Sequence, residues 1–259
     1  MALGNVEPAT LALVLLAGLA AGVASGLFGV GGGILMVPAA RYLAGADFHT
    51  ARAASLVVIV ASSAVGLWTH WRKRSVDLRA GAWCALGGLV ATPLAVLAAE
   101  RVQDALLQAL FGIVLVITGA RLIWSKAPAA PTRRASAAYC IALGVLGGVL
   151  AGFFGVGGGV VVVPGLILAS VGPHLAIGTS LVAVLGNALG GTAGLLRAGY
   201  GPALLALGLP MALGALPGSW IGAKLAHRLH ADALRRLFGA GLILVGLAMS
   251  AQSAWTWPG

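Results

Sequence analysis

The sequence predicts an all-α integral membrane protein built from two copies of one unit, and three observations carry that expectation. Of 259 residues, 60% are hydrophobic and only 8% charged, whereas soluble domains carry roughly a quarter charged residues; mean hydropathy is +1.02. Apolar runs near twenty residues recur, the length that crosses about 30 Å of hydrocarbon. The block GLFGVGGGILMVP at Gly26–Pro38 returns as GFFGVGGGVVVVP at Gly152–Pro164, 126 positions later.

Net charge is +10, which in a soluble domain would suggest nucleic acid. Here the basic residues fall between apolar runs instead of forming a face, the pattern that orients membrane proteins, so the expected surroundings are a lipid bilayer and no nucleic acid. Met1 to Pro8 holds Glu7 and no Lys or Arg, so it lacks the basic start of a secretory signal and reads as a retained first segment.

The first unit, 9–124, opens with an apolar segment at 9–27. Glycines 29 and 31–33 break it, and it resumes at 33–45, too short for an ordinary span. Spans follow at 53–71, 80–99 and 105–124. The stretch 125–135 carries Lys126, Arg133 and Arg134 with Pro128 and Pro131, a polar linker outside the membrane. The second unit, 136–252, repeats the order with 136–153, a glycine break, 159–171, 176–196, 202–223 and 233–252. This makes about eight hydrophobic segments, two of them broken, each unit opening with a re-entrant-like helix pair. The register continues beyond the blocks: Gly18, Gly22 and Gly26 answer Gly144, Gly148 and Gly152, and Ser55-Leu-Val answers Ser180-Leu-Val. Pro93 answers Pro217, Arg101 answers Arg228, and Phe111-Gly112 answers Phe238-Gly239.

Charge chooses the topology. If each broken segment passes straight through, the repeats are parallel and the 16 Lys and Arg divide seven to nine, without bias. If the chain turns back at the glycines, the repeats are inverted. Twelve then share one side (Arg72, Lys73, Arg74, Arg79, Arg121, Lys126, Arg133, Arg134, Lys224, Arg228, Arg235, Arg236), and Arg41, Arg52, Arg101 and Arg197 lie opposite. The positive-inside rule therefore predicts inverted repeats in a cell (inner) membrane, basic loops cytoplasmic and both termini outside.

Non-helical backbone at membrane depth is tolerated only where it is buried in protein or lines a cavity. Three consecutive glycines also disfavour helix by about 1 kcal/mol each relative to Ala, so the recurrence of GVGGG asks for a reason beyond packing. Turns at Gly29, Gly31, Gly32 and Gly33, and at Gly155, Gly157, Gly158 and Gly159, can adopt positive φ and expose successive N–H groups. The short helices that follow present positive dipole ends. Two such ends meeting near the midplane make a site for a small anion without a formal charge, an arrangement of inverted-repeat carriers. The Gly18-xxx-Gly22-xxx-Gly26 stripe and its copy read as helix-packing faces. No Gly-Lys-Ser/Thr follows the glycines, so this is not a phosphate-binding P-loop.

The twin G-x-F-G-V-G-G-G…V-P blocks resemble the sulfite exporter TauE/SafE family of membrane transporters, over nearly the whole chain. The resemblance implies transport of sulfur-containing oxyanions or organosulfonates, suggests export, and maps the family motif onto the glycines just named together with Pro38 and Pro164. An anion channel and a non-transporting membrane assembly subunit remain rival readings, and a homo-oligomer is compatible with all three.

Polar candidates lie on the helix after each broken segment. Ser55 and Ser180 are repeat equivalents, as are Ser62 and Asn187, with Ser63 and Thr179 beside them; their hydroxyls and amide can complete an oxyanion's hydrogen bonds or bond back to the helix. Arg52, matched by Ile177, is expected either to attract anions at the outer mouth or to snorkel, with snorkelling favoured. His49 and His174, on opposite membrane faces, are expected as titrating gates or, in preference, as solvated helix-start histidines, and His70, Trp68, Trp71, Trp255 and Trp257 as an interfacial belt. Glu7, Asp47, Asp77, Glu100, Asp104 and Asp232 fall at segment ends, so no carboxylate relay crosses the membrane. Cys84 and Cys140 read as inert buried thiols. No catalytic or metal-ligand spacing appears, so neither an enzyme nor a cofactor is expected.

Overall fold

The computed structural model describes residues 8–124 and 135–256, and these residues form helices with no strand among them. The linker expected at 125–135 falls almost wholly outside the described residues, as do Glu7 and Trp257. The first set of helices is α1 (Pro8–Phe28), α2 (Gly33–Ala44), α3 (Phe48–Arg72), α4 (Leu78–Ala99) and α5 (Asp104–Trp124). The second is α6 (Ala137–Phe154), α7 (Gly159–Leu168), α8 (Pro173–Arg197), a short α9 (Gly201–Ala203) continued by a π turn (Leu204–Gly208) into α10 (Leu209–Ala226), and α11 (Ala231–Thr256). Six helices among the described residues are long and apolar enough to cross a bilayer, so the protein is an all-α integral membrane protein. Helices α3 and α4 start before the expected apolar cores, where Asp47 accepts from Thr50 N at 2.9 Å and Asp77 from Arg79 N and Ala80 N at 3.0 Å; Ser136 caps α6 by accepting from Tyr139 N at 3.3 Å, and α7 ends at Leu168, short of the expected 171. The π turn has no counterpart in α4 and is the main departure of the second set from the first.

The helices pair by exchange. In lipid no hydrophobic force drives helices together, so close backbone contact does the holding. A Cβ at Gly18, Gly22 or Gly26 of α1 would run into the backbone of Met211, Ala215 or Ser219 on α10; one at Gly144, Gly148 or Gly152 of α6 would meet Cys84, Gly88 or Thr92 on α4. Each opening helix thus lies parallel to the penultimate helix of the other set. Equivalent helices instead pack antiparallel on each other. A Cβ at Gly112 of α5 would lie 2.8 Å from Gly246 O of α11, and one at Gly119 would lie 2.6 Å from Gly239 O. On the central pair, Gly191 of α8 faces Leu56 of α3, while Gly66 of α3 faces Leu181 of α8.

After Phe28 the chain folds back on α1, since a Cβ at Gly32 would strike Ala21 O; after Phe154 it folds back on α6, where Gly158 would strike Gly147 O. The central helices α3 and α8 are the most buried of the candidate spans, and their ends define two ends of the molecule, named here for Arg52 and His70.

Candidate functional site at the paired glycine turns

The two glycine turns meet in the middle of the molecule. Gly29, Gly31 and Gly32 have φ of 71°, 80° and 78°, and Gly155, Gly157 and Gly158 repeat this with 70°, 71° and 80°. Such left-handed backbone is open to glycine and costs other residues about 1–2 kcal/mol each. All of these glycines are buried. A Cβ at Gly33 would lie 2.5 Å from Gly155 O and one at Gly159 would lie 2.6 Å from Gly29 O, so the start of each short helix faces the other set's turn.

Helices α2 and α7 start on Gly32 and Gly158, with no side-chain cap, unlike the capped starts of α3, α4 and α6. Among the described residues, no protein group accepts a backbone hydrogen bond from the N–H groups of Gly31 to Ile34 or of Gly157 to Val160. They are helix-start donors of the kind that caps, water or anions satisfy.

The serines and the asparagine named from the sequence converge on these turns. Ser55 Oγ donates to Gly155 O at 2.6 Å and Ser180 Oγ to Gly29 O at 2.8 Å, each bond crossing between the two sets. Ser62 Oγ donates to Gly31 O and Asn187 Nδ2 to Gly157 O, both at 3.0 Å and both within one set. In this conformation the donors therefore hold turn carbonyls and tie α3 and α8 to both turns. Asn187 Oδ1 is buried without a partner. Thr179 is drawn elsewhere: its Oγ1 accepts from Asp77 N at 2.9 Å, pinning the loop before α4. Ser63 bonds back to Ile59 O within its helix.

Ile59 and Val184 fill the space between the turns. A Cβ on Gly31 would lie 2.6 Å from Val184 Cγ1 and 2.7 Å from Ile59 Cγ2, and one on Gly157 would lie 2.9 and 3.0 Å from the same two atoms. The sequence reading missed this pair. The signal was available, because Ile59 and Val184 are repeat equivalents and Ser55, Ile59 and Ser62 stand at i, i+4 and i+7, one helix face.

Three expectations at the ends of α3 need correction. Arg52 does not snorkel: it is wholly buried, with Nη1 donating to Gly152 O at 2.7 Å and Nη2 paired with Glu100 and 3.1 Å from His49 Nδ1. Carbonyl and carboxylate acceptors inside make burial possible where lipid alone would not. His49 is not a solvated helix-start residue either, since its Nε2 lies 3.1 Å from Asp104 Oδ1. Tyr200 closes this cluster by donating to Glu100 Oε2 at 2.8 Å; burial, and then that bond, push its hydroxyl up to about 12, so it remains a donor.

At the other end His70 leaves the expected interfacial belt for the interior, with Nε2 2.9 Å from Gly26 O and Nδ1 3.2 Å from Ser75 Oγ. Its ring centroid is 4.8 Å from that of His227, which stacks on His174 at 6.0 Å. His174 Nε2 lies 3.1 Å from Ala226 O, so it too is engaged instead of solvated. Trp68 and Trp71 remain about half exposed, as a belt requires. Cys84 and Cys140 are buried free thiols.

Comparison with known proteins adds a family and relatives. The sulfite exporter TauE/SafE family matches residues 14–249. A probable membrane transporter protein of Xylella fastidiosa is 32% identical over 88% of this chain and 89% of its own length. One from Methanocaldococcus jannaschii is 27% identical over 92% and 95%, and one from Bacillus subtilis is 25% identical over 91% and 98%.

Proposed function

The chain belongs to the sulfite exporter TauE/SafE family, and from that membership we propose that this multi-pass membrane transporter carries a small sulfur-containing anion, such as sulfite or an organosulfonate, outward by alternating access. The observation that carries the reading is the buried meeting of two helix starts that no side chain caps, with their first N–H groups directed at the opposite turn. Donors left idle inside a protein cost about 1–3 kcal/mol each. An anion between the turns would satisfy several at once while gaining from both helix dipoles. Gly29, Gly31, Gly32 and Gly33 with Gly155, Gly157, Gly158 and Gly159 form the cradle, and Ser55, Ser62, Ser180 and Asn187 set its carbonyls. Thr179 holds the neighbouring loop. Ile59 and Val184 occupy the cradle in this conformation and must part for substrate.

Inverted repeats supply the motion. The antiparallel packing of α3 on α8 and of α5 on α11 supports units 9–124 and 136–252 of opposite orientation, between which the ends can open alternately. The His70 end, with Arg72, Lys73, Arg74, Lys224 and Arg228 near it, is read as cytoplasmic in the inner membrane, and both termini as outside. The reading requires no catalysis and no resident cofactor.

The test is uptake of labelled sulfite into liposomes carrying the purified protein, with sulfate, thiosulfate and methanesulfonate as competitors. Saturable flux with counterflow is expected, falling about thirtyfold in Ser55→Ala/Ser180→Ala, as loss of two bonds near 1 kcal/mol each implies. Flux that does not saturate would mean an anion channel. No flux of any anion under imposed pH and voltage gradients would leave an assembly subunit.

A further inference from the structure

Resting on that transport reading, we propose that Arg52 is the residue that pairs with the transported anion, and that Glu100 is its internal competitor, holding the guanidinium while the Arg52 end is closed. Arg52 is the buried Lys or Arg among the described residues and the largest fully buried side chain. The fold itself does not ask for a cation there. The equivalent position is Ile177, and beside it Ser180 makes the same cross-set bond to Gly29 O that Ser55 makes to Gly155 O.

Arg52 also stands at the cradle. A Cβ on Gly155, the first glycine of the second turn, would lie 2.7 Å from Arg52 Cγ and 2.9 Å from its Cα. The guanidinium is incompletely used: Nη1 holds Gly152 O and Nη2 holds Glu100 and His49, but Nε–H has no partner although the side chain is wholly buried. Nε and Nη2 form one edge of the planar fork that donates to two oxygens of an oxyanion side by side. Glu100 takes only one corner of that edge. A sulfur oxyanion could take both, provided that Glu100 lets go.

Release without replacement is forbidden by energetics, because stripping a buried ion of its partner costs several kcal/mol. The exchange therefore couples opening of the Arg52 end to arrival of an anion. The carboxylates suit the exchange: the Glu100 and Asp104 side chains are 28% and 32% exposed while Arg52 is at 0%, so the partner that must let go already reaches solvent and the cation does not. Freed, Glu100 keeps water and the Tyr200 hydroxyl as donors, and His49 keeps Asp104.

The experiment compares sulfite KM in proteoliposomes for the wild type, Arg52→Gln, Arg52→Lys and Glu100→Gln. Arg52→Gln is expected to raise KM tenfold or more, and Arg52→Lys, which keeps charge but loses the fork, by less. Glu100→Gln, which removes the competing charge, should lower KM severalfold. A purely structural Arg52 would lower the amount of folded protein and leave KM where it was; that result, or a KM unchanged or raised in Glu100→Gln, overturns the proposal. Should Arg52→Gln fail to fold, Glu100→Gln decides alone because it retains the arginine. Absence of saturable flux in the wild type would sink the transport reading and this one together, whereas wild-type flux with unshifted KM in the variants sinks only this one.

Discussion

Single side chains at the glycine turns answer to two separate constraints, backbone handedness and space. Gly158, at φ 80°, has both: a Cβ there would strike Gly147 O and lie 2.7 Å from Asn187 Nδ2. Gly45, at φ 62°, has nothing within 4 Å. Gly45→Ala should therefore cost about 1–2 kcal/mol, the left-handed backbone term, and Gly158→Ala clearly more; thermal unfolding in detergent measures the difference, and equal losses would mean that the turn is not packed as described. His227 supplies a pH signature. Burial first, then the charges of His174 and Lys73, hold its pKa below the usual value. As pH falls below about 6.5 the unfolded chain takes up the proton before the folded one, so this contribution to stability is lost on acidification. Melting curves between pH 7 and pH 5 should show the decline, and His227→Gln should flatten it.

Among elements, the exchanged seams matter most. Gly22 on α1 and Gly148 on α6 are equivalent, and each lets its helix touch the backbone of a helix from the other set. Gly22→Leu should separate α1 from α10, and Gly148→Leu should separate α4 from α6. Both should reduce monodisperse protein recovered from the membrane more than Gly241→Leu, because Gly241 has open space around its Cβ position; gel filtration compares them. The packing stripes on α1 and α6 were readable from small residues four apart, but their partners were not. Helix α1 finds α10 nearly 200 residues along the chain, and no local period encodes such a distance.

At the scale of the whole molecule, orientation is the testable property. A single cysteine placed at Ser75, at the His70 end, in a Cys84→Ala/Cys140→Ala background should react with a membrane-impermeant maleimide only in inside-out vesicles. One placed at Asp47, at the Arg52 end, should react only in right-side-out cells; the reverse pattern would invert the charge-based assignment. The sequence by itself determined the membrane class, the recurrence of the glycine block, the two breaks and most polar residues around them. Those properties live in composition, in apolar run length and in a repeated block, all of which are local. Tertiary structure alone decided that Ser55 and Ser180 reach across to the other set's turn, and that Ile59 and Val184 close the cradle. It also decided that Arg52 and His70, which look interfacial by position, are buried. Their burial depends on acceptors such as Gly152 O and Gly26 O, which stand 100 and 44 residues away and become neighbours only when the helices pack, the first from the other set and the second from the same one.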